Sequence, residues 1–251
     1  MQEVQETFLS HLIELRERVI RSLVAIGILL VPALYFSSEL YDLLALPLMR
    51  ALPPGAKMIA TGVITPFLIP MKIAAMAAFL GALPYVLFQA WAFVAPGLYA
   101  HEKRLVMPLI VSSTILFFVG VAFCYFVVFG RVFAFIAGFA PQSISVAPDI
   151  EAYFNFVLGM FLAFGLAFEV PVVVVVLVLS GLISVAQLRE FRGYVIVGIF
   201  ALAAFITPPD AISMISLAIP MCLLYEAGII AAQLIERRRK ERESLGAARR
   251  E

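Results

Sequence analysis

The sequence predicts an all-α integral membrane protein, and three observations support this. First, 63% of the 251 residues are hydrophobic and only 14% are charged, which is more apolar surface than a water-soluble core of this size can bury. Second, the apolar residues form long runs that can cross a bilayer. Third, these runs lack the alternation of a membrane β-barrel, so the backbone must satisfy its hydrogen bonds within helices.

The length of the apolar runs divides the chain into six predicted transmembrane helices, because one crossing takes about 20 residues. They form a single membrane domain over residues 1–235, and a basic tail over 236–251 is expected to be disordered. The spans are predicted at about 19–35, 72–95, 105–130, 152–180, 194–207 and 211–235.

Helices five and six are predicted to be short. Residues 194–207 cover only about 21 Å at about 1.5 Å per residue, and the next apolar run is interrupted by Glu226. A Thr-Pro-Pro-Asp sequence ending at Asp210 separates the two runs and predicts a turn. We therefore expect a short final hairpin, with a thinner membrane on that side.

Basic residues predict the orientation, because they are enriched on the cytoplasmic side of a membrane. With six spans, fourteen of the eighteen lysines and arginines fall on the side that holds both termini. The N and C termini are therefore predicted to be cytoplasmic, with residues 37–71 and 131–151 facing outward. The first outer loop is apolar and rich in proline, including Pro47, and is expected to pack on the membrane surface as a cap.

Enzyme chemistry finds no support in the sequence. The two histidines, His11 and His101, lie outside every predicted span, so an intramembrane serine nucleophile has no base. The residues after His101 do not form a zinc-protease motif, and Asp210 has no second aspartate for a dyad. We predict no catalytic residues, no metal, no cofactor and no nucleic-acid partner.

An amphipathic helix is predicted to lead into the first span, with Phe8, Leu12, Leu15 and Val19 on one face. Glu14 and Arg18 stand four residues apart on its other positions, as do Glu17 and Arg21. Such pairs are either ordinary surface ion pairs or part of a binding site. Glu102, in the next cytoplasmic loop, falls on the same membrane face as Glu14, so each carboxylate could bind a guanidinium in bidentate fashion.

Glu169 interrupts the fourth span, where a carboxyl group costs about 2.5–3.5 kcal/mol. Either it is a protonated side chain bonded to a neighbouring helix, or it has a function. Gly159, Ala163 and Ala167 form a stripe of small residues suited to close helix contact. Glu169 lies on the roughly opposite face and is therefore predicted to face a cavity or a partner.

Five motifs, in order along the chain, resemble the TatC family of the twin-arginine protein translocase. They are F-x-x-H-L-x-E-L-R-x-R from Phe8, T-P-F from Thr65, W-x-F-x-x-P-G-L-Y-x-x-E from Trp91, F-G-x-x-F-E-x-P from Phe164 and T-P-P-D from Thr207, together with an outer-loop proline at Pro47. They cover nearly the whole chain.

The resemblance implies a multi-pass receptor in the bacterial inner membrane that binds twin-arginine signal peptides of folded precursor proteins. It implies a multimeric complex, with TatB and TatA single-span subunits docked on helices five and six, in contact with membrane lipid. The residues expected to bind the signal peptide are Glu14, Arg16, Phe93 and Glu102. The intramembrane polar or partner-contacting residues are Glu169, Tyr125, Asp210 and Glu226, and Pro47 is the structural loop residue.

Two other functions remain open from the sequence. A proton-coupled small-molecule transporter would use Glu169 as its titrating site, although the chain has no internal repeat and few other charges in its spans. A structural scaffold for other membrane proteins would leave every cytoplasmic glutamate dispensable.

Overall fold

The computed structural model describes residues 2–53, 55, 57–94, 106–139, 147–207 and 211–248. Within these ranges every element is helical, apart from one isolated bridge between Ile59 and Asp149. The all-α prediction is confirmed. The elements are α1 (Gln2–Tyr35), α2 (Ser37–Ala51), α3 (Thr65–Val94), α4 (Val106–Phe123), a π-helical turn (Cys124–Val128), α5 (Phe129–Phe139), α6 (Ile150–Phe168), α7 (Val170–Leu179), α8 (Val185–Glu190), α9 (Arg192–Ile206) and α10 (Ala211–Ala248).

Five helical stretches of the described chain are long and apolar enough to cross a membrane. α9 is apolar but has only 15 residues, about 22 Å, in agreement with the short fifth helix that the sequence predicts. The five long stretches are His11–Tyr35, Thr65–Phe93, Met107–Ile136, Ile150–Leu179 and Ala211–Arg237.

The prediction of a short sixth helix is wrong. α10 continues through Glu226, and its span-length stretch has 27 residues. The apolar helix can include the Glu226 carboxylate because Arg192, at the start of α9, donates to it through two guanidinium nitrogens and balances its charge. The tail that was expected to be disordered from residue 236 is helical as far as Ala248.

The joined helices α6 and α7 form the centre of the bundle, with 61% of their apolar window buried, whereas none of the window in α1 is buried. α6 ends and α7 begins at Glu169, because Pro171 has no N–H to donate to the helical hydrogen bonds. α1 packs mainly on α3, α4 packs on α6, and α10 packs on α7.

Two glycines allow α4 and α6 to approach closely. A Cβ on Gly120 would lie 2.5 Å from the Phe164 carbonyl oxygen, and one on Gly165 would lie 2.3 Å from the Phe117 ring. The predicted stripe is wrong at Gly159, which is exposed and would have nothing within 4 Å of its Cβ. Periodicity identifies residues that share a helix face, but it does not identify the neighbour that the face meets.

The cap end of the bundle is formed by α2, the segment around Ile59 and the start of α6. Pro47 lies inside α2, the helix at the start of the predicted outer loop over residues 37–71. Because Pro47 has no N–H, the Leu43 carbonyl lacks its helical donor, and the Tyr125 hydroxyl donates to it at 2.7 Å. The Tyr153 hydroxyl donates to the next carbonyl of α2 at 2.7 Å. Two tyrosines of the bundle thus hold the cap helix.

Asp149 fastens the segment before α3 to the start of α6. Its carboxylate accepts from the Thr61 hydroxyl at 2.7 Å and from the Ala152 N–H at 2.9 Å, so it also caps α6. These hydrogen bonds, that of Thr61 first, hold the pKa of Asp149 below its usual value. The bridge to Ile59 adds two backbone hydrogen bonds of 2.9 and 2.8 Å.

Candidate functional site

The basal end, opposite the cap end, is formed by the first turns of α1 from His11, the last turns of α3, α8 and the start of α9. α1 and α3 meet there in two contacts. The His11 ring stacks on the Phe93 ring, with their centroids 4.2 Å apart and their planes at 22°. One helical turn earlier in α3, Gln89 accepts a hydrogen bond of 3.2 Å from Arg18. These contacts fix the start of α1 against α3.

Glu14 lies between these two contacts. Its Oε1 accepts from Arg18 Nε at 3.0 Å and from Arg18 Nη2 at 2.6 Å. Its Oε2 lies 3.8 Å from His11 Nδ1. The side chain is 35% exposed, so the carboxylate is accessible from the basal surface. The ion pair predicted between Glu14 and Arg18 is confirmed, and the chain itself supplies a guanidinium for this carboxylate.

This geometry changes what the sequence predicts for Glu14. A second arginine cannot bind both oxygens of the carboxylate unless Arg18 moves, because Arg18 already holds Oε1. Arg16 is exposed on the same helix, and the second predicted pair, Glu17 with Arg21, forms at 2.6 Å on the surface. An exposed pair of this kind contributes about 0.2–1 kcal/mol.

Two predicted site residues lie outside the described part of the chain. Glu102 belongs to the connection between α3 and α4, residues 95–105, and Asp210 to the connection between α9 and α10, residues 208–210. Their predicted roles stay predictions.

Glu169 is only 8% exposed and packs inside the bundle against α4. On α4, the Ser113 hydroxyl accepts from Trp91 Nε1 at 2.9 Å. The Glu169 Oε1 atom has no hydrogen-bond partner among the described residues. The Glu169 side chain itself is therefore enclosed by the bundle, and its predicted contact with a cavity or a partner stays a prediction.

The remaining predicted residues are divided between the two ends. Tyr125 is in the π-helical turn and binds the cap helix, away from the basal surface. Glu226 pairs with Arg192 and joins α9 to α10 on the basal side. The Tyr225 hydroxyl adds a hydrogen bond of 2.7 Å to the Leu188 carbonyl of α8.

Sequence reasoning missed Gln89 and Ser113. Gln89 is 4% exposed, and Ser113 is fully buried. The available signal was a polar side chain inside an apolar span, which needs a buried partner. The partner of Gln89 is 71 residues away along the chain, so spacing alone does not identify it.

The comparisons with known proteins agree with the sequence motifs. The family model for "Sec-independent protein translocase protein (TatC)" matches residues 10–220. The chain belongs to the TatC family. A family member from Haemophilus influenzae is 45% identical over 94% of this chain and 93% of its own length. Another, from Escherichia coli strain K12, is 44% identical over 96% of this chain and 93% of its own.

Two solved structures have the same fold. A crystal structure described as the twin arginine translocase receptor TatC has a TM-score of 0.77 at 38% identity, covering 89% of this chain and 98% of its own. A crystal structure of this receptor in DDM has a TM-score of 0.79, also at 38% identity, covering 88% and 99%. Because the chain belongs to the TatC family, its function is protein transport. The basal end is therefore interpreted on that basis, and not as part of a small-molecule transporter that uses Glu169.

Proposed function

We propose that this chain is the receptor subunit of a twin-arginine translocase. It binds the arginine pair in the signal peptides of folded precursor proteins at its basal end. The observation that carries this proposal is the Glu14 carboxylate, which is 35% exposed and fixed where α1 meets α3. A carboxylate on a rigid helix junction binds a guanidinium without first having to be ordered.

The surroundings of Glu14 support recognition of a peptide. Phe93 stacks on His11 beside the carboxylate and offers an apolar surface, and Arg16 is exposed nearby. Glu102, by resemblance, supplies a second carboxylate for the second arginine. Two carboxylates are needed because each can hold one guanidinium at full strength.

The proposed topology has six spans, with α9 as the short fifth, in one domain over residues 1–235. The basal end faces the cytoplasm and both termini lie there, because the basic residues gather at this end. They include Arg16, Arg18, Arg21, Arg189 and Arg192, followed by the tail over 236–251. The membrane is the inner membrane of a bacterium, as the source organisms of the similar proteins suggest.

The proposed partners are the single-span subunits TatB and TatA, bound along α9 and α10 in a multimeric complex. Large apolar side chains of α9 point away from the bundle: Tyr194 is 78% exposed, Val197 70% and Phe205 89%. A short helix with such a face leaves room for a partner helix in the lipid. Glu226 lies on the part of α10 that contacts α9, and Asp210 is proposed as a partner contact by resemblance alone.

An export assay tests the receptor role. Cells expressing the chain as their sole receptor subunit carry a folded reporter with a twin-arginine signal peptide. We expect Glu14→Gln and Glu102→Ala each to lower export at least tenfold, because each leaves one guanidinium without its carboxylate. Glu17→Gln is the matched control, since Glu17 lies on the same helix but pairs only on the surface.

Crosslinking separates recognition from later steps. A photoreactive residue at Phe93 should crosslink to a signal peptide with its arginine pair and not to one with two glutamines. Equal crosslinking of both peptides, or normal export by Glu14→Gln, would contradict the proposed role of this surface.

A further inference from the structure

The Arg18 guanidinium has two acceptors at the basal end. On one side it holds Glu14 Oε1 through two nitrogens, at 3.0 and 2.6 Å. On the other, its Nη1 donates to Gln89 Oε1 at 3.2 Å. Gln89 is 4% exposed, so this acceptor is part of the bundle and not of the surface. Arg18 itself is 21% exposed.

A guanidinium on Glu14 is also the chemistry that the proposed function assigns to the signal peptide. The two cations therefore compete for one carboxylate, and they repel each other when they are close. A lysine competes poorly with the guanidinium already present, because its ammonium is a strongly hydrated point charge without the planar fork. An internal arginine at this position thus selects for an arginine in the ligand.

We propose that Arg18 is a built-in competitor that occupies the arginine-reading carboxylate in the resting receptor. Gln89 is the acceptor that retains Arg18 when a substrate arginine takes Glu14. This inference rests on the proposed function and adds two residues that set its specificity. Without Gln89, a displaced Arg18 would lose its buried acceptor, and a partly buried charge without a partner is unfavourable.

The two residues are predicted to act in opposite directions, which a merely structural role would not do. Removing the competitor with Arg18→Gln should tighten binding of a twin-arginine peptide about tenfold. It should tighten binding of a twin-lysine peptide more, so that discrimination between the two falls. Gln89→Leu removes the second acceptor and should weaken twin-arginine binding about fivefold. Gln89→Glu strengthens that acceptor and should tighten it.

The experiment measures the dissociation constant of fluorescent signal peptides for the full-length chain in lipid nanodiscs. The peptides carry two arginines, two lysines or two glutamines. Arg21→Gln is the matched control and should leave all constants unchanged, since Arg21 lies on the same helix and, among the described residues, forms its ion pair with exposed Glu17. Thermal unfolding of each variant verifies that it is folded. Should Arg18→Gln not fold, Arg18→Lys replaces it and should bind the twin-arginine peptide about threefold more tightly, because an ammonium holds Glu14 less well.

The outcomes separate the two claims. If Glu14→Gln leaves twin-arginine binding unchanged, the proposed function fails at this carboxylate. If Glu14→Gln weakens binding but Arg18→Gln and Gln89→Leu also both weaken it, Arg18 only positions Glu14, and the competitor is overturned. Tighter binding by Arg18→Gln and weaker binding by Gln89→Leu supports it.

Discussion

Replacing Gly120 with alanine tests the close approach of α4 and α6 at the centre of the bundle. The new Cβ would lie 2.5 Å from the Phe164 carbonyl oxygen and 2.9 Å from the Phe168 ring. Ordinary contact distances begin at about 3.5 Å, so the helices must separate by about 1 Å. Such overpacking costs about 1–3 kcal/mol, and the carbonyl cannot rotate away as a flexible side chain could.

The measurement is the unfolding temperature of the purified protein in detergent. At about 2–4 °C for each kcal/mol in a chain of this size, Gly120→Ala should unfold about 2–12 °C below the wild type. Gly159→Ala is the matched control, because Gly159 is helical and nothing lies within 4 Å of its Cβ position. An unfolding temperature for Gly120→Ala equal to or above that of Gly159→Ala would refute the crossing.

Three further predictions concern other contacts. Tyr153→Phe removes the hydroxyl that holds the cap helix and should lower stability by about 1 kcal/mol in the same unfolding assay, whereas Tyr194→Phe, at a side chain 78% exposed, should not. Arg192→Glu should lower export by placing two carboxylates side by side, and the double variant with Glu226→Arg should restore it; failure of the double variant would mean that the pair does not act through its charges. Hydrogen bonds lower the pKa of Asp149, so its stabilising effect is present above the unfolded value of about 3.9 and is lost as the pH falls through the folded value. Between pH 6 and 3 the unfolding temperature should therefore fall less for Asp149→Asn than for the wild type, and equal slopes would contradict this.

The sequence predicted local features well, because they depend on neighbours along the chain. The length of the apolar runs identified every span-length helix, and the spacing of four residues identified the pairing of Glu14 with Arg18. The shortness of α9 followed from counting the residues between Tyr194 and Thr207. Each of these features is set within one helix or one turn.

Features that depend on distant residues were missed. The partner of Glu226 is 34 residues away, so its carboxylate looked like the end of a span when it was part of an ion pair. The Tyr125 hydroxyl could not be assigned to the Leu43 carbonyl, which Pro47 leaves without its helical donor, because these two residues are 82 apart along the chain. For the same reason, Gln89 could not be assigned to Arg18 from spacing.

The central claim is that Glu14 binds an arginine of the signal peptide, and a double-mutant cycle tests it most directly. Peptide binding is measured for the wild type and Glu14→Gln, each with the arginine pair intact and with one arginine changed to glutamine. A direct contact predicts a coupling energy of at least about 1 kcal/mol between Glu14 and one of the two arginines. The reason is that the binding free energy of a close charged pair falls by at least that much when either partner is removed. Additive effects at both arginines, with no coupling, would contradict it.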